Sequence, residues 1–527
     1  MFAKKAAGAL LLASLLVPSI GHAQPVVQTK SAVQPADMIL QNGAVYTVDR
    51  NRNWAEAVAV KGDTIVYVGT NEGAKAYAGA QTKVVDVKGK MVLPGFIDSH
   101  THASKTTGMI YTVDLFELGS IEEYVKAVKE FVKKYPEETA IQGRGWTNSA
   151  ATGIGPRKEA LDEVSKDIPI ALTSDDGHSL WVNSKALEVA GITKSTPNPD
   201  GGLIERDPDM LRYPNVLEAY KQLSEEDKLT VRFRNAITAD PAKGPEQVKE
   251  FIKLREENKG PHFQINAVKI FMDGVVEGAT GYLEEPYKHK HTRGQLIWDP
   301  EVYNETAAAV DKAGFQLHVH SIGDAATRIT LDGFEYAEKK NGQRDARPSI
   351  VHLQLFNPKD MERFKKLGVI GIPQPYWFLK EPGFFEEIEV PYLGRERAEE
   401  EYPMKSMINA GIVMASGSDY IVTQEFNPLH GIQQGITRIE EGKTDPKDIA
   451  NPDERATLAD MIASFTIDGA YANFVEDITG SIEVGKKADL VVLDKNLFAI
   501  PATEIKKTNI LWTLFEGKEV YRNEAFK

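Results

Sequence analysis

The sequence predicts an α/β fold, a (β/α)8 TIM barrel with a small β-sandwich domain built from both chain ends and an insertion near the barrel mouth. Three observations carry this expectation. The middle of the chain alternates eight apolar, strand-length runs with helix-period stretches, as a closed parallel sheet requires. Both ends instead show short β-rich runs punctuated by glycine turns. Residues suited to chemistry fall just past the middle strands, on the rim where barrels keep their functional groups. A chain of 527 residues is long enough for both units.

The first residues read as an export signal. Lys4 and Lys5 precede an apolar run over 6–17, and Gly21-His22-Ala23 offers the small residues a signal peptidase reads. The run is too short to span a bilayer. The expectation is a signal peptide over 1–23, cleaved after about Ala23, and a periplasmic or secreted protein. No cysteine occurs in the chain, so thiolate chemistry and cysteine-based zinc sites are excluded. The net charge of −14 argues against nucleic acid or an anionic membrane surface as partner. A small-molecule substrate is expected, and homo-oligomer formation is compatible with the composition.

Residues 37–93 carry β-rich runs separated by Asn42-Gly43, Lys61-Gly62-Asp63 and Lys88-Gly89-Lys90, the texture of a small antiparallel sheet, and the same texture returns over 478–527. Barrel strands are expected at 95–98, 140–143, 168–173, 267–272, 315–319, 349–353, 369–373 and 412–415, within a barrel domain at 94–477. The interval 187–262 is too long for one connection and is expected to be an insertion or lid.

Residues with chemistry follow these strands almost one by one. His100 and His102 end the first strand, and side chains at i and i+2 share a face. Arg144 and Trp146 end the second, His178 the third, and His318 and His320 the fifth. His352 and Gln354 lie on the sixth, Gln374 at the seventh and Asp419 at the eighth. Six of the eleven histidines thus lie on one rim, which scattered surface histidines would not do. Lys269 sits inside the apolar run Val268-Lys269-Ile270-Phe271, where an amine is costly to bury alone. By residue type it suits a Schiff base or an ion pair. Beside metal-binding histidines it can instead take up carbon dioxide and become an anionic carbamate ligand.

In these motifs the chain resembles the metal-dependent amidohydrolase superfamily, in the branch called amidohydrolase family 3 (YtcJ-like, including N-substituted formamide deformylase). The matching residues are the run from Pro94 to His102, Gly143-Arg144-Gly145-Trp146, Asp176-Gly177-His178-Ser179, the Lys269 strand with Asp273-Gly274, and the run from His318 to Asp324. They continue through His352-Leu353-Gln354, Gln374-Pro375, Gly417-Ser418-Asp419 and Ala488-Asp489-Leu490.

The resemblance implies two divalent metal ions, zinc above all. His100, His102 and Asp419 would hold the first and His320 and His352 the second, with carboxylated Lys269 bridging them. Of the pair His318 and His320, the resemblance favours His320 as the ligand, with His318 behind it on the pocket wall or, alternatively, as the ligand itself. The implied reaction is hydrolysis of an amide, N-acyl or N-formyl bond by a metal-bridging hydroxide, with Asp419 carrying the proton. His178 is implied as a substrate or oxyanion contact, or else as a residue ordering its loop. Arg144, Trp146, Gln354 and Gln374 would line the pocket. Lactone, ester or phosphoester hydrolysis on the same metals is the alternative chemistry, and a non-catalytic periplasmic binding or sensing barrel the alternative outside enzymology.

Overall fold

The computed structural model describes residues 33–103, 112–147, 150, 156–175, 177, 179–193 and 214–526. The expected signal peptide and His178 lie outside the described residues. Among those described, no helix is long and apolar enough to cross a membrane.

Both chain ends build two sheets. In the first, Met38–Gln41 pairs with Ala57–Lys61 and with Lys83–Asp86, and Thr64–Gly69 closes a hairpin on Ala57–Lys61. In the second, the C-terminal strands Leu490–Leu493, Ile510–Phe515 and Lys518–Arg522 continue from Met91–Pro94, Ala44–Tyr46 and Trp54–Ala55. The join is antiparallel, with Val492 opposite Val92. One apolar core with Leu40, Val58, Ile65, Val92, Leu490, Val492 and Trp512 draws on both sheets. The N-terminal runs are not purely antiparallel as expected. Met38–Gln41 runs parallel to Lys83–Asp86, because the intervening hairpin and the helix Asn71–Ala74 return the chain to its starting end.

The middle of the chain has a TIM-barrel-like α/β arrangement. Five parallel strands stand in order: Phe233–Thr238, Phe263–Phe271, Gln316–Ser321, Ser349–His352 and Ile370–Ile372. Helices connect them, each started by local chemistry. Asp299, for example, accepts from the Glu301 and Val302 amides ahead of Pro300–Lys312, with Pro300 in the first turn, where no amide is needed. A second sheet holds Val113–Asp114, Ile141–Trp146 and Ile170–Ser174 in parallel, with Leu180–Val182 antiparallel at its edge.

Three expectations need correction. The described strands do not close into one barrel, since no ladder joins these two sheets. The expected first strand, 95–98, is an extended run outside both sheets, and the expected eighth contributes a single bridge from Met414 to Gly371. Finally, the interval 187–262 is not wholly an insertion. It supplies the strand Phe233–Thr238 and the helix Val248–Glu257, and that strand is the parallel neighbour of the one carrying Lys269.

Candidate metal centre

Where strand ladders stop, backbone hydrogen bonds continue and bring the ends of the middle unit together. The amides of Gly95, Ile97 and Ser99 donate in alternation to the carbonyls of Asp489, Phe465 and Ser416 at 2.7–3.0 Å. Asp419 then donates to the carbonyl of His100 at 2.8 Å, and His102 to that of Tyr420. Alternation puts His100 and His102 on one face, and both reach the same atom. Their Nε2 atoms lie 3.1 and 3.2 Å from Asp419 Oδ1. These three residues are the one metal-compatible cluster of His, Asp or Glu found among the described residues. Asp98 locks the two segments by accepting from the Ser418 amide (2.9 Å) and hydroxyl (2.5 Å). Asp419 has φ 58° and His352 φ 78°, left-handed values that are uncommon for non-glycine residues.

The parallel sheet delivers the rest. Lys269 stands beside His318 in register, and Phe271 beside His320. Lys269 is 5% exposed, with its ammonium 4.8 Å from the centre of the Phe271 ring. The rings of His320 and His352 are 4.4 Å apart, and His352 lies 5.6 Å from His100. Each imidazole is oriented through its other side. His320 Nε2 is 3.1 Å from the Gly274 carbonyl, and His352 Nδ1 is 2.7 Å from Gln374 Oε1. His318 stands behind His100, its Nε2 2.9 Å from His100 Nδ1.

Electrostatics favour the ligand forms. Burial, and after it the Lys269 charge, hold His100 and His318 well below the usual imidazole range. Burial does the same at His352, where the Lys269 charge adds to it and that of Asp419 opposes it. Burial alone would raise Asp419, but the His100 and His102 side chains beside it outweigh burial and keep its carboxyl well below the usual range. Neutral imidazoles and an ionised carboxylate are what a divalent cation binds. With convergent lone pairs and oriented rings, these residues fit such a metal.

A cavity of about 2190 Å³ opens onto this cluster and is lined by all six expected ligands together with Arg144, His318 and Gln354. Two expected pocket residues are elsewhere. Trp146 is buried in the core, its indole donating to the Leu172 carbonyl at 2.8 Å, because its side of the strand faces Trp181 rather than the cavity. Gln374 is fully buried and orients His352 rather than lining the pocket. Arg144 lines the cavity and donates to the Ile421 carbonyl at 3.2 Å. Sequence reasoning missed the part played by Asp273, which accepts from the amides of Tyr282, Ile322 and Gly323 and so fixes the loop after His320. It also missed Glu389 and Glu401, both held by Gln354 Nε2 at 3.1 and 2.9 Å. The Asp-Gly pair after the Lys269 strand was the available signal for the first; nothing in the sequence pointed to the second.

The model of the amidohydrolase family matches residues 83–521, and the chain belongs to that family. It is a metal-dependent hydrolase of that family. It is 29% identical to the protein LONG AFTER FAR-RED 3 of Arabidopsis thaliana, over 92% of each chain. It is 26% identical to the N-substituted formamide deformylase of Arthrobacter pascens, over 92% of this chain and 98% of that one. Among solved structures, an uncharacterized metal-dependent hydrolase from Pyrococcus horikoshii superposes with a TM-score of 0.69 at 23% identity, over 88% of this chain and 99% of that one. The latter likeness is one of fold.

Proposed function

We propose that this protein is an exported amidohydrolase that cleaves an amide, N-acyl or N-formyl bond of a small molecule at a two-metal centre. The observation that carries the reading is the sharing of Asp419 Oδ1 between the Nε2 atoms of His100 and His102, on the floor of a large cavity. His100, His102 and Asp419 would hold one ion, His320 and His352 the other, and Lys269, carboxylated by carbon dioxide, would bridge them; zinc is the expected metal. Such ions, when bound, supply Lewis acidity at the substrate carbonyl and a water of lowered pKa.

The chain's own residues do the rest. Asp419 stays ionised and is placed to take a proton from the attacking water and return it to the leaving nitrogen. His318, Gln374 and the Gly274 carbonyl hold the imidazoles of His100, His352 and His320 in place. Arg144 and Gln354, on the cavity wall, are the proposed substrate contacts, together with His178 from the sequence reading. The formamide deformylase among the relatives supports an N-formyl or N-acyl substrate. The basic and apolar N-terminal run supports export and cleavage near Ala23.

The test is a hydrolysis screen of zinc-loaded protein against N-formyl amines, N-acyl amino acids, lactones and phosphoesters, with metal counted on the same sample. Turnover of the nitrogen compounds with roughly two metals per chain is expected. Turnover confined to lactones or phosphoesters would overturn the assignment of the bond.

A further inference from the structure

We propose that Ser349, His318 and His100 form a relay that fixes which nitrogen of His100 carries its proton, making Ser349 and His318 positioning residues of the metal centre. The inference rests on the metal-hydrolase reading above and goes beyond it by assigning a function to two residues outside the proposed ligand set.

The relay is a consequence of register. His318 sits opposite Ser349 in adjacent parallel strands, and Lys269 sits opposite His318 on the other side. His318 is therefore held between the lysine strand and a hydroxyl, with its ring directed at His100. His100 Nδ1 lies 2.9 Å from His318 Nε2, and His318 Nδ1 lies 2.8 Å from Ser349 Oγ. Ser349 Oγ in turn is 3.4 Å from the Leu317 carbonyl. All three side chains are buried, Ser349 fully so, and a polar atom that loses its partner there is costly.

Two imidazole nitrogens at this distance share a single proton, so the chain of bonds has a direction. Two directions exist. In one, the serine hydroxyl donates to His318 Nδ1, His318 Nε2–H donates to His100 Nδ1, and His100 carries its proton on Nε2, the atom facing Asp419. That atom then has no lone pair for a metal. In the other, His100 Nδ1–H donates to His318 Nε2, His318 Nδ1–H donates to Ser349 Oγ, and the hydroxyl donates to the Leu317 carbonyl. His100 Nε2 is then bare. Only the second direction suits a metal ligand, and Ser349 makes it available because its oxygen can accept while its hydrogen turns to a backbone carbonyl.

Metal affinity measured by chelator competition, together with nitrogen NMR of the zinc-loaded, 15N-histidine-labelled protein, tests this. The expected spectrum has His318 protonated on Nδ1 and bare on Nε2. Ser349→Ala and His318→Leu should each weaken zinc binding about 10- to 100-fold, the usual effect of losing a partner behind a ligand. His318→Gln, whose amide oxygen can still accept from His100, should stay within a few-fold of wild type. The opposite tautomer at His318, or a His318→Leu variant that binds as tightly as His318→Gln, would overturn the relay. Should His318→Leu fail to fold, the wild-type spectrum and Ser349→Ala decide. A wild type that binds no divalent metal would overturn the metal-hydrolase reading itself, and the wild-type titration separates that outcome from failure of the relay alone.

Discussion

Lys269 and Asp419 carry the sharpest tests: the first of the bridging ligand, the second of a residue proposed both to hold the first ion and to carry the proton. Lys269→Ala removes the proposed bridging ligand, so metal content should fall from two ions toward one or none, with partial return of activity on adding a small carboxylate. Unchanged metal content in that variant would exclude the bridging role. Asp419→Asn keeps the shape of the side chain but cannot accept the proton, and turnover should fall about 10²- to 10⁴-fold. At this scale much was legible in the sequence. The i and i+2 spacing of His100 and His102, and a lysine inside an apolar run, are properties of the chain itself and survive into the structure. Trp146 and Gln374 were misplaced because what a side chain touches depends on its neighbours. Trp146 met another indole, and Gln374 met a histidine 22 residues away.

Short elements carry the site, and their close packing makes them sensitive. A Cβ at Gly417 would lie 2.6 Å from the His100 amide nitrogen and 2.8 Å from His100 Cβ. Gly417→Ala should therefore cost about 1–3 kcal/mol in urea unfolding and weaken metal binding together. The segment over 381–401 brings Glu389 and Glu401 against Gln354. Burial pushes the Glu389 carboxyl up to about 7, and Glu401 is raised well above its ordinary value by burial and by the charge of Glu389. The folded state then binds more protons than the unfolded chain between the ordinary carboxylate range and pH 7. Stability should fall as pH rises through that window. Glu389→Gln should flatten the fall in urea midpoints measured from pH 5 to 8, and an unchanged slope would remove the pair as its source. Strand existence was legible where runs were apolar on both faces, as in the Lys269 strand. Phe233–Thr238 escaped because Arg234 and Asn235 interrupt it and it is only partly buried, so it lacks the signature of a fully covered strand.

At the scale of the whole molecule, one arginine ties the terminal sheets to the α/β unit. Arg232, just before the strand Phe233–Thr238, bonds Asp489 at 2.5 Å and Glu516 at 2.6 Å, and its guanidinium lies 4.6 Å from the Phe515 ring centre. Arg232→Ala leaves two largely buried carboxylates without their cation and should cost about 3–5 kcal/mol. Fluorescence of Trp512, in the terminal core, would follow the loss. Asp98 and Ser418 are 320 residues apart in sequence yet in direct contact, beside the ligands that each segment brings. No fragment ending before Asp419 can present the first metal position, and no early collapse of neighbouring residues can create it. Contacts of such separation are made late and slowly in folding. Metal capture would therefore report that two segments 320 residues apart have closed on each other, and an exported chain would acquire its metal where it finishes folding rather than where it is made.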